Sequence, residues 1–176
     1  MHKFKTKYRE LHLGDYRKKL ALNEIVTTDL KNRGLSEFLM PYDEEEKQNM
    51  FDKKKFTAFG AFSKDELIGA LSMGTNPKQI EHILSKMGMG LKNKKVCKME
   101  RGIILPNKQG EKIFPAIYNL AEEHAIANGF KHAVGIIHPD NKRSIKAMTN
   151  EGYDIVATTY INNFLRHIVY KELQTE

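Results

Sequence analysis

A single cysteine, Cys97, and no tryptophan occur in 176 residues. One thiol excludes an internal disulfide framework and the usual cysteine-rich structural zinc set. The seven histidines fall at no metal-ligand spacing, so no metal site is expected. No apolar run approaches the roughly 18 residues that a membrane helix needs. The N-terminal MHKFKTKYRELHL has charge but no long apolar stretch behind it, so no secretory signal is expected. Repeats, low-complexity tracts and a linker between domains are also missing. A cytoplasmic protein without membrane contact is expected.

Hydrophobic residues at 40% and charged residues at 29% describe a globular chain with a sizeable core, read as one domain over residues 1–176. The net charge of +7 favours acidic or phosphorylated partners. Its lysines are dispersed over Lys53 to Lys55, Lys92 to Lys95, Lys108, Lys112 and Lys142. No arginine-rich arm, zinc finger or aromatic RNA-binding motif accompanies them, so nucleic acid is not the expected partner.

Lys7 to Leu13 alternates as a first strand. Asp15 is placed to cap a helix with apolar positions Leu20, Leu22, Ile25 and Val26. Asp43 and Glu46 stand at capping-box spacing before a short helix. Phe56 to Phe62 and Glu66 to Met73 read as a hairpin around Lys64-Asp65, and Ile80, Ile83, Leu84 and Met87 as a small helix. Met87 to Lys95 reads as a polar, glycine-bearing connection. Val96 to Leu105 is a strand, Gly110 to Asn128 a helix, Lys131 to Ile137 a strand and Asn141 to Glu151 a helix closed by Gly152. Asp154 to Tyr160 and Leu165 to Leu173 form a final antiparallel pair. The fold expected is α/β (α+β), a mixed sheet of about seven strands flanked by four or five helices, with one parallel crossover from Val96 to Ile137.

Two blocks carry the chemistry. The first, ILPNKQGEKIF, is a strand running through a glycine-bearing turn into a helix, where free amides attract phosphate. The second, HPDNKRSIKAMTNEGY, brings Asn141 and Ser144 to a helix start and Gly152-Tyr153 to its end. In this order and at this separation, the blocks resemble the GCN5-related N-acetyltransferase (GNAT) superfamily. The resemblance spans nearly the whole chain in element order. It implies a single acyl-CoA N-acyltransferase-like domain that takes acetyl-CoA as cosubstrate. Gln109 and Gly110 match the family's Gln/Arg-and-glycine turn, while Lys112 and Phe114 replace its second glycine and the small residue after it. Asn141, Ser144, Gly152 and Tyr153 match its Asn-x-x-Ala/Ser and Gly-Phe/Tyr pattern. Met148 occupies the position of the tyrosine acid of many relatives, as in the branch resembling ribosomal-protein N-terminal acetyltransferases.

The resemblance assigns acetyl-CoA to Ile103, Ile104, Leu105, Lys108, Gln109, Gly110, Glu111, Lys112, Asn141 and Ser144. Ile103 to Leu105 are core side chains whose backbone would pair with the pantetheine arm. Asn141 serves either that arm or the helix cap. Lys112 is expected to be helical in backbone and to point outward. Glu100, in an otherwise apolar strand, is the candidate general base, with an ion pair to a lysine as the structural alternative. Arg101 is expected on the opposite face by strand alternation. His138, at the end of the next strand, is a second catalytic candidate against a plain turn role. Tyr153 reads as core, Tyr160 as a weak acceptor-pocket candidate and Cys97 as buried.

These readings leave three functions to weigh: acetyl transfer to a primary amine of unknown identity, acyl-CoA binding without transfer, and a basic binding protein on the same scaffold. A homodimer through the last strands is compatible with the sequence and not required by it.

Overall fold

The computed structural model describes residues 5–91 and 95–173. Seven strands are present: β1 (Lys7–Glu10), β2 (Phe56–Ser63), β3 (Glu66–Gly74), β4 (Val96–Ile104), β5 (His132–Ile137), β6 (Asp154–Ile161) and β7 (Phe164–Glu172). Five helices connect them: α1 (Tyr16–Asn32), α2 (Glu44–Asn49), α3 (Pro77–Met87), α4 (Ile113–Ala127) and α5 (Lys142–Asn150). They form one mixed sheet in the order β1-β2-β3-β4-β5-β7-β6, in which only β4 and β5 run parallel. The expected strand count and crossover are therefore observed. The glycine-bearing connection falls partly on residues 92–94, outside the described residues.

Local chemistry sets most boundaries. In α2, Asp43 accepts from the Glu46 amide at 2.7 Å and Glu46 accepts from the Asp43 amide at 3.0 Å, a reciprocal capping box. In α3, Asn76 caps, Pro77 occupies the first turn and Gly88 ends the helix in left-handed backbone at φ +65°. Asn141 caps α5 by accepting from the Ser144 amide at 3.2 Å. Asp15 precedes α1 without capping it, because Arg9 engages both its oxygens at 2.7 and 2.9 Å. That guanidinium holds the Asp15 carboxyl down at about 2 and ties β1 to the start of α1.

Three expectations are corrected. The first strand stops at Glu10, since Leu13–Asp15 turn helically toward α1. The buried face of α1 is Lys19, Leu22, Asn23 and Val26, whereas Ile25 is exposed. Helix α4 begins at Ile113 rather than Gly110, because Gly110 at φ +97° and Lys112 at φ +55° are both left-handed.

The sheet is covered on both faces. Helix α4 lays Ile113 and Ile117 against Gly69 of β3, where a side chain would collide with them. Its buried positions join β2, β3, Met148 and Tyr153 in the larger core. Helix α3 packs Ile80, Ile83 and Met87 onto Val96, Val134, Ile161 and Ile168. Helix α1 crosses β3 on the face opposite α4, with Lys19 reaching Ser72. Among the described residues, no helix is long and apolar enough to cross a membrane.

Candidate functional site

The parallel pair opens partway along its length. β4 and β5 pair only at Val96–Lys98 with His132–Val134, yet β4 continues to Ile104 and β5 to Ile137. The cause is a bulge in β4. Arg101 sits in left-handed backbone at φ +53°, and the register against β3 slips between Ala70 and Ser72. A bulge adds one residue to one strand and bends it. Beyond it the β5-facing edge of β4 has no strand partner among the described residues, and Gly102 is exposed in the central strand of the sheet. The other edge stays bound to β3 through Ile103, Ile104 and the Leu105 amide.

The bulge also overturns the alternation expected for Arg101. Glu100 and Arg101 both line one cavity of about 20 Å³ with Lys19, Tyr42, Glu46, Met50, Phe56 and Ser72. Glu100 is half-buried, and its Oε2 meets Lys98 Nζ at 2.5 Å. Its other oxygen lies 2.8 Å from where a Cβ on Gly74 would stand. Arg101 grips Glu46 with both carboxylate oxygens at 2.7 and 2.8 Å. It donates to the Met40 carbonyl at 2.8 Å and stacks 3.9 Å over the Tyr42 ring. One side chain thus fastens the α1–α2 segment to the bulge.

At the open end, the C-terminal ends of both parallel strands bring the two sequence blocks together. After β4 comes a helical turn, Pro106–Lys108, then Gln109 to Lys112, then α4. After β5 comes His138 to Asn141, then α5. Two helix N-termini therefore stand at the same end of the sheet, a setting that favours an anion. Lys112 does not have the expected helical backbone. It is the N-cap of α4 in left-handed conformation, a place where glycine costs nothing. The amides of Ile113 and Phe114 are free of intrahelical partners, but Pro115, the third helical residue, offers none. Lys108 pairs with Glu111 at 3.3 Å across the turn.

Phe114 turns inward. Its ring would lie 2.9 Å from a Cβ on Gly102 and sits 4.3 Å from the Tyr118 ring, so it floors the open segment without filling the turn. The side chains of Ile103 and Leu105 are buried and Ile104 is half-buried, leaving the unpaired backbone edge as the part able to contact a ligand. Asn141 spends its side-chain oxygen on capping, and Ser144 provides the amide it accepts from. These groups suit a phosphorylated arm lying along β4 with its phosphates at the turn. Gly102 and the bare strand edge leave room for such an arm, and a Cβ at 102 would intrude on Phe114.

His138 makes no hydrogen bond or ion pair to Glu100. Its Nδ1 accepts from the Asp140 amide at 3.1 Å, its Nε2 faces Glu37 at 3.4 Å, and its ring lies 5.0 Å from Phe38. Both ring nitrogens are engaged, and the residue links the end of β5 to the α1–α2 segment. Tyr160 is exposed on β6, Tyr153 and Met148 are core, and Cys97 is buried with its thiol pushed up to about 12 by burial.

Sequence reasoning missed Lys19, Tyr42 and Ser72. The available signal was Lys19 itself, a lysine in the helical row that continues through Leu22 and Val26. It is 1% exposed, and burial pulls its ammonium down to about 8, with Arg101 adding to the effect and Glu100 opposing it.

No protein-family model matches the chain, and no curated protein matches it in sequence. Solved structures do share its fold. A probable acetyltransferase from Staphylococcus epidermidis is 15% identical with a TM-score of 0.72, over 97% of this chain and 100% of that one. Arabidopsis thaliana NAA60, solved in complex with acetyl-CoA, is 12% identical with a TM-score of 0.74, over 96% and 99%. The PaiA N-acetyltransferase of Thermoplasma acidophilum, in complex with coenzyme A, is 14% identical with a TM-score of 0.64, over 96% and 99%. The chain has the fold of GNAT acetyltransferases.

Proposed function

We propose that the chain transfers an acetyl group from acetyl-CoA to a primary amine, with Glu100 as the base. The observation that carries this is the β4 bulge. It opens the sheet beside a bare strand edge, and the residue just before it, Glu100, faces a cavity. Bound acetyl-CoA would supply an acyl carbon activated as a thioester. The turn amides of Gly110 to Phe114 and the charges of Lys108 and Lys112 would hold its phosphates, and the open edge of β4 from Ile103 to Leu105 its arm.

The protein's own work is then to orient the amine and remove its proton. An ammonium has no lone pair to attack with, so one proton must leave first. Glu100 takes it, and Lys98 holds the carboxylate in place from one side. Exchange of the carbon–sulfur bond for a carbon–nitrogen bond frees a second proton for the departing sulfur. Met148 cannot relay that proton from nitrogen to sulfur, so solvent does. Holding both reactants in one cleft contributes much of the rate. His138 acts here as a fastener of the α1–α2 segment, since its two nitrogens are spent on Asp140 and Glu37.

The same reading places the reaction in the cytoplasm, with an amine as partner and without nucleic acid or membrane. The pairing of Glu100 with Lys98 and the left-handed Lys112 favour one alternative, a protein that binds acyl-CoA without transferring it. Release of free thiol from acetyl-CoA in the presence of an amine panel, alongside calorimetric binding of CoA, separates the two. Binding with no amine-dependent thiol release would decide for the alternative.

A further inference from the structure

Ser72 and Lys19 form a pair for which the transfer reaction has no use. Ser72 lies on β3 across from Glu100 on β4, and Lys19 reaches it from α1. Lys19 Nζ and Ser72 Oγ are 2.8 Å apart. Both residues are almost fully buried, at 1% and 3% exposure, and both line the cavity beside Glu100. A serine within hydrogen-bond reach of a base, with a third group holding the pair, is the arrangement of an activated nucleophile. Tyr42 supplies the third group. Its phenol interacts with Ser72, and its ring stands 5.8 Å from Lys19 Nζ.

This chemistry needs a lysine that can lose its proton. Burial brings Lys19 down to about 8, with Arg101 adding to the effect and Glu100 opposing it. Roughly a tenth of the side chains are then neutral at pH 7. A neutral amine accepts from the hydroxyl to which the ammonium donates. Glu100 and Arg101 from β4, Glu46 from α2 and the Tyr42 phenol are the titratable and charged groups that share the cavity with Lys19. Burial holds that phenol up at about 12, so it keeps its proton and stays a donor. The cavity, of about 20 Å³, has room for roughly one or two heavy atoms beside Ser72. Among acyl groups, that favours acetyl over longer chains.

We propose that Ser72 is a nucleophile, with Lys19 as its general base, that takes the acetyl group of a small activated ester or thioester and passes it to water. Lys19 accepts the hydroxyl proton as Oγ bonds to the acyl carbon. The leaving oxygen or sulfur departs with its bonding pair, and Lys19 returns the proton to it or to solvent. Water then adds to the acyl-serine and gives a proton to Lys19. The bond from Oγ to the acyl carbon breaks, and Oγ regains the proton. This hydrolysis goes beyond amine acetylation and requires no coenzyme A, so either reading can fail without the other.

The test uses p-nitrophenyl acetate as the activated ester. Wild-type protein is expected to release a burst of about one equivalent of p-nitrophenolate and to carry acetyl on Ser72 in peptide mass spectra. The acylation rate should rise with pH through an inflection near 8. Lys19→Met, which keeps the serine, is expected to slow acylation by about 10²–10³ and to abolish the inflection. Ser72→Ala should lose both burst and label. p-Nitrophenyl butyrate, two methylenes longer, should react at least about tenfold more slowly. Acetyl absent from Ser72 in the wild-type protein, which needs no variant to observe, would overturn the proposal. So would labelling of Ser72 at an unchanged rate in folded Lys19→Met.

Discussion

Glu100 and Arg101 are consecutive in β4 and yet line the same cavity. An unbroken strand would send them to opposite faces of the sheet. Left-handed backbone at Arg101 and the slipped register against β3 remove that alternation. The same irregularity parts β4 from β5. One local distortion therefore opens the cleft, brings Arg101 to the side of the candidate base and anchors the α1–α2 segment.

Removal of the Glu100 carboxylate tests its role as base. Glu100→Gln is expected to lower turnover by about 10²–10³ at neutral pH and to leave the Kd for CoA nearly unchanged. Gly74→Ala offers an independent check that keeps the carboxylate. Its new Cβ would come 2.8 Å from Glu100 Oε1, so the carboxylate must move. A fall in turnover of about tenfold or more is expected, since small misplacements of reacting groups are costly. Steady-state kinetics with calorimetric CoA binding measure both.

Arg101 makes its contacts through a planar fork that lysine lacks. Arg101→Lys keeps the charge, but one ammonium cannot hold both Glu46, which Nη2 meets, and the Met40 carbonyl, which Nη1 meets. A stability loss of about 1–2 kcal/mol is expected for this partly buried pair. The acceptor KM should rise while CoA affinity holds, because the clamp serves the α1–α2 segment and not the phosphate turn.

Lys112 stands where its backbone favours glycine. Lys112→Gly removes the left-handed penalty of about 1–2 kcal/mol but adds unfolded-chain entropy of about 0.5–1 kcal/mol. A net stabilisation of up to about 1.5 kcal/mol is expected from denaturant melts. Lys112→Glu should instead weaken CoA binding, because it puts a negative charge beside the turn proposed to hold phosphate. Unchanged affinity in that variant would remove Lys112 from the site.

Lys19 links the site to stability with a defined sign. Its folded-state value of about 8 lies below the 10.5 of an unfolded lysine. Between those values the unfolded chain binds more protons, so stability rises as pH rises through that window. At neutral pH the buried charge costs about 3 kcal/mol by this measure. Lys19→Met is expected to raise stability at pH 7 by about 1–3 kcal/mol and to flatten the rise between pH 8 and 10.5. Thermal melts across pH would show both effects.

The elements themselves were largely legible in the chain. Asp43 with Glu46, Asn76-Pro77 with Gly88, and Asn141 are local signals that act within one helical turn, and each helix follows them. The strands follow their apolar patterns, and the parallel β4–β5 pair follows from the helix between them. The α4 start was misjudged because a glycine near a turn looks like a helix start from sequence, whereas left-handed backbone at Gly110 and Lys112 delays it.

The candidate site was legible only where it is contiguous. Residues 103–112 and 138–144 could be read as blocks because their roles arise from backbone adjacent in sequence. The cavity could not, since Lys19, Tyr42, Ser72 and Glu100 come from four separate segments. Their meeting depends on how α1 crosses β3 and where β4 bulges. Arg101 shows the difference most plainly. Sequence by itself determined that an arginine follows a glutamate in an apolar strand. Only the tertiary structure decided that both face one cavity, because a left-handed residue in a central strand is held there by contacts to Glu46, Met40 and Tyr42, more than fifty residues away.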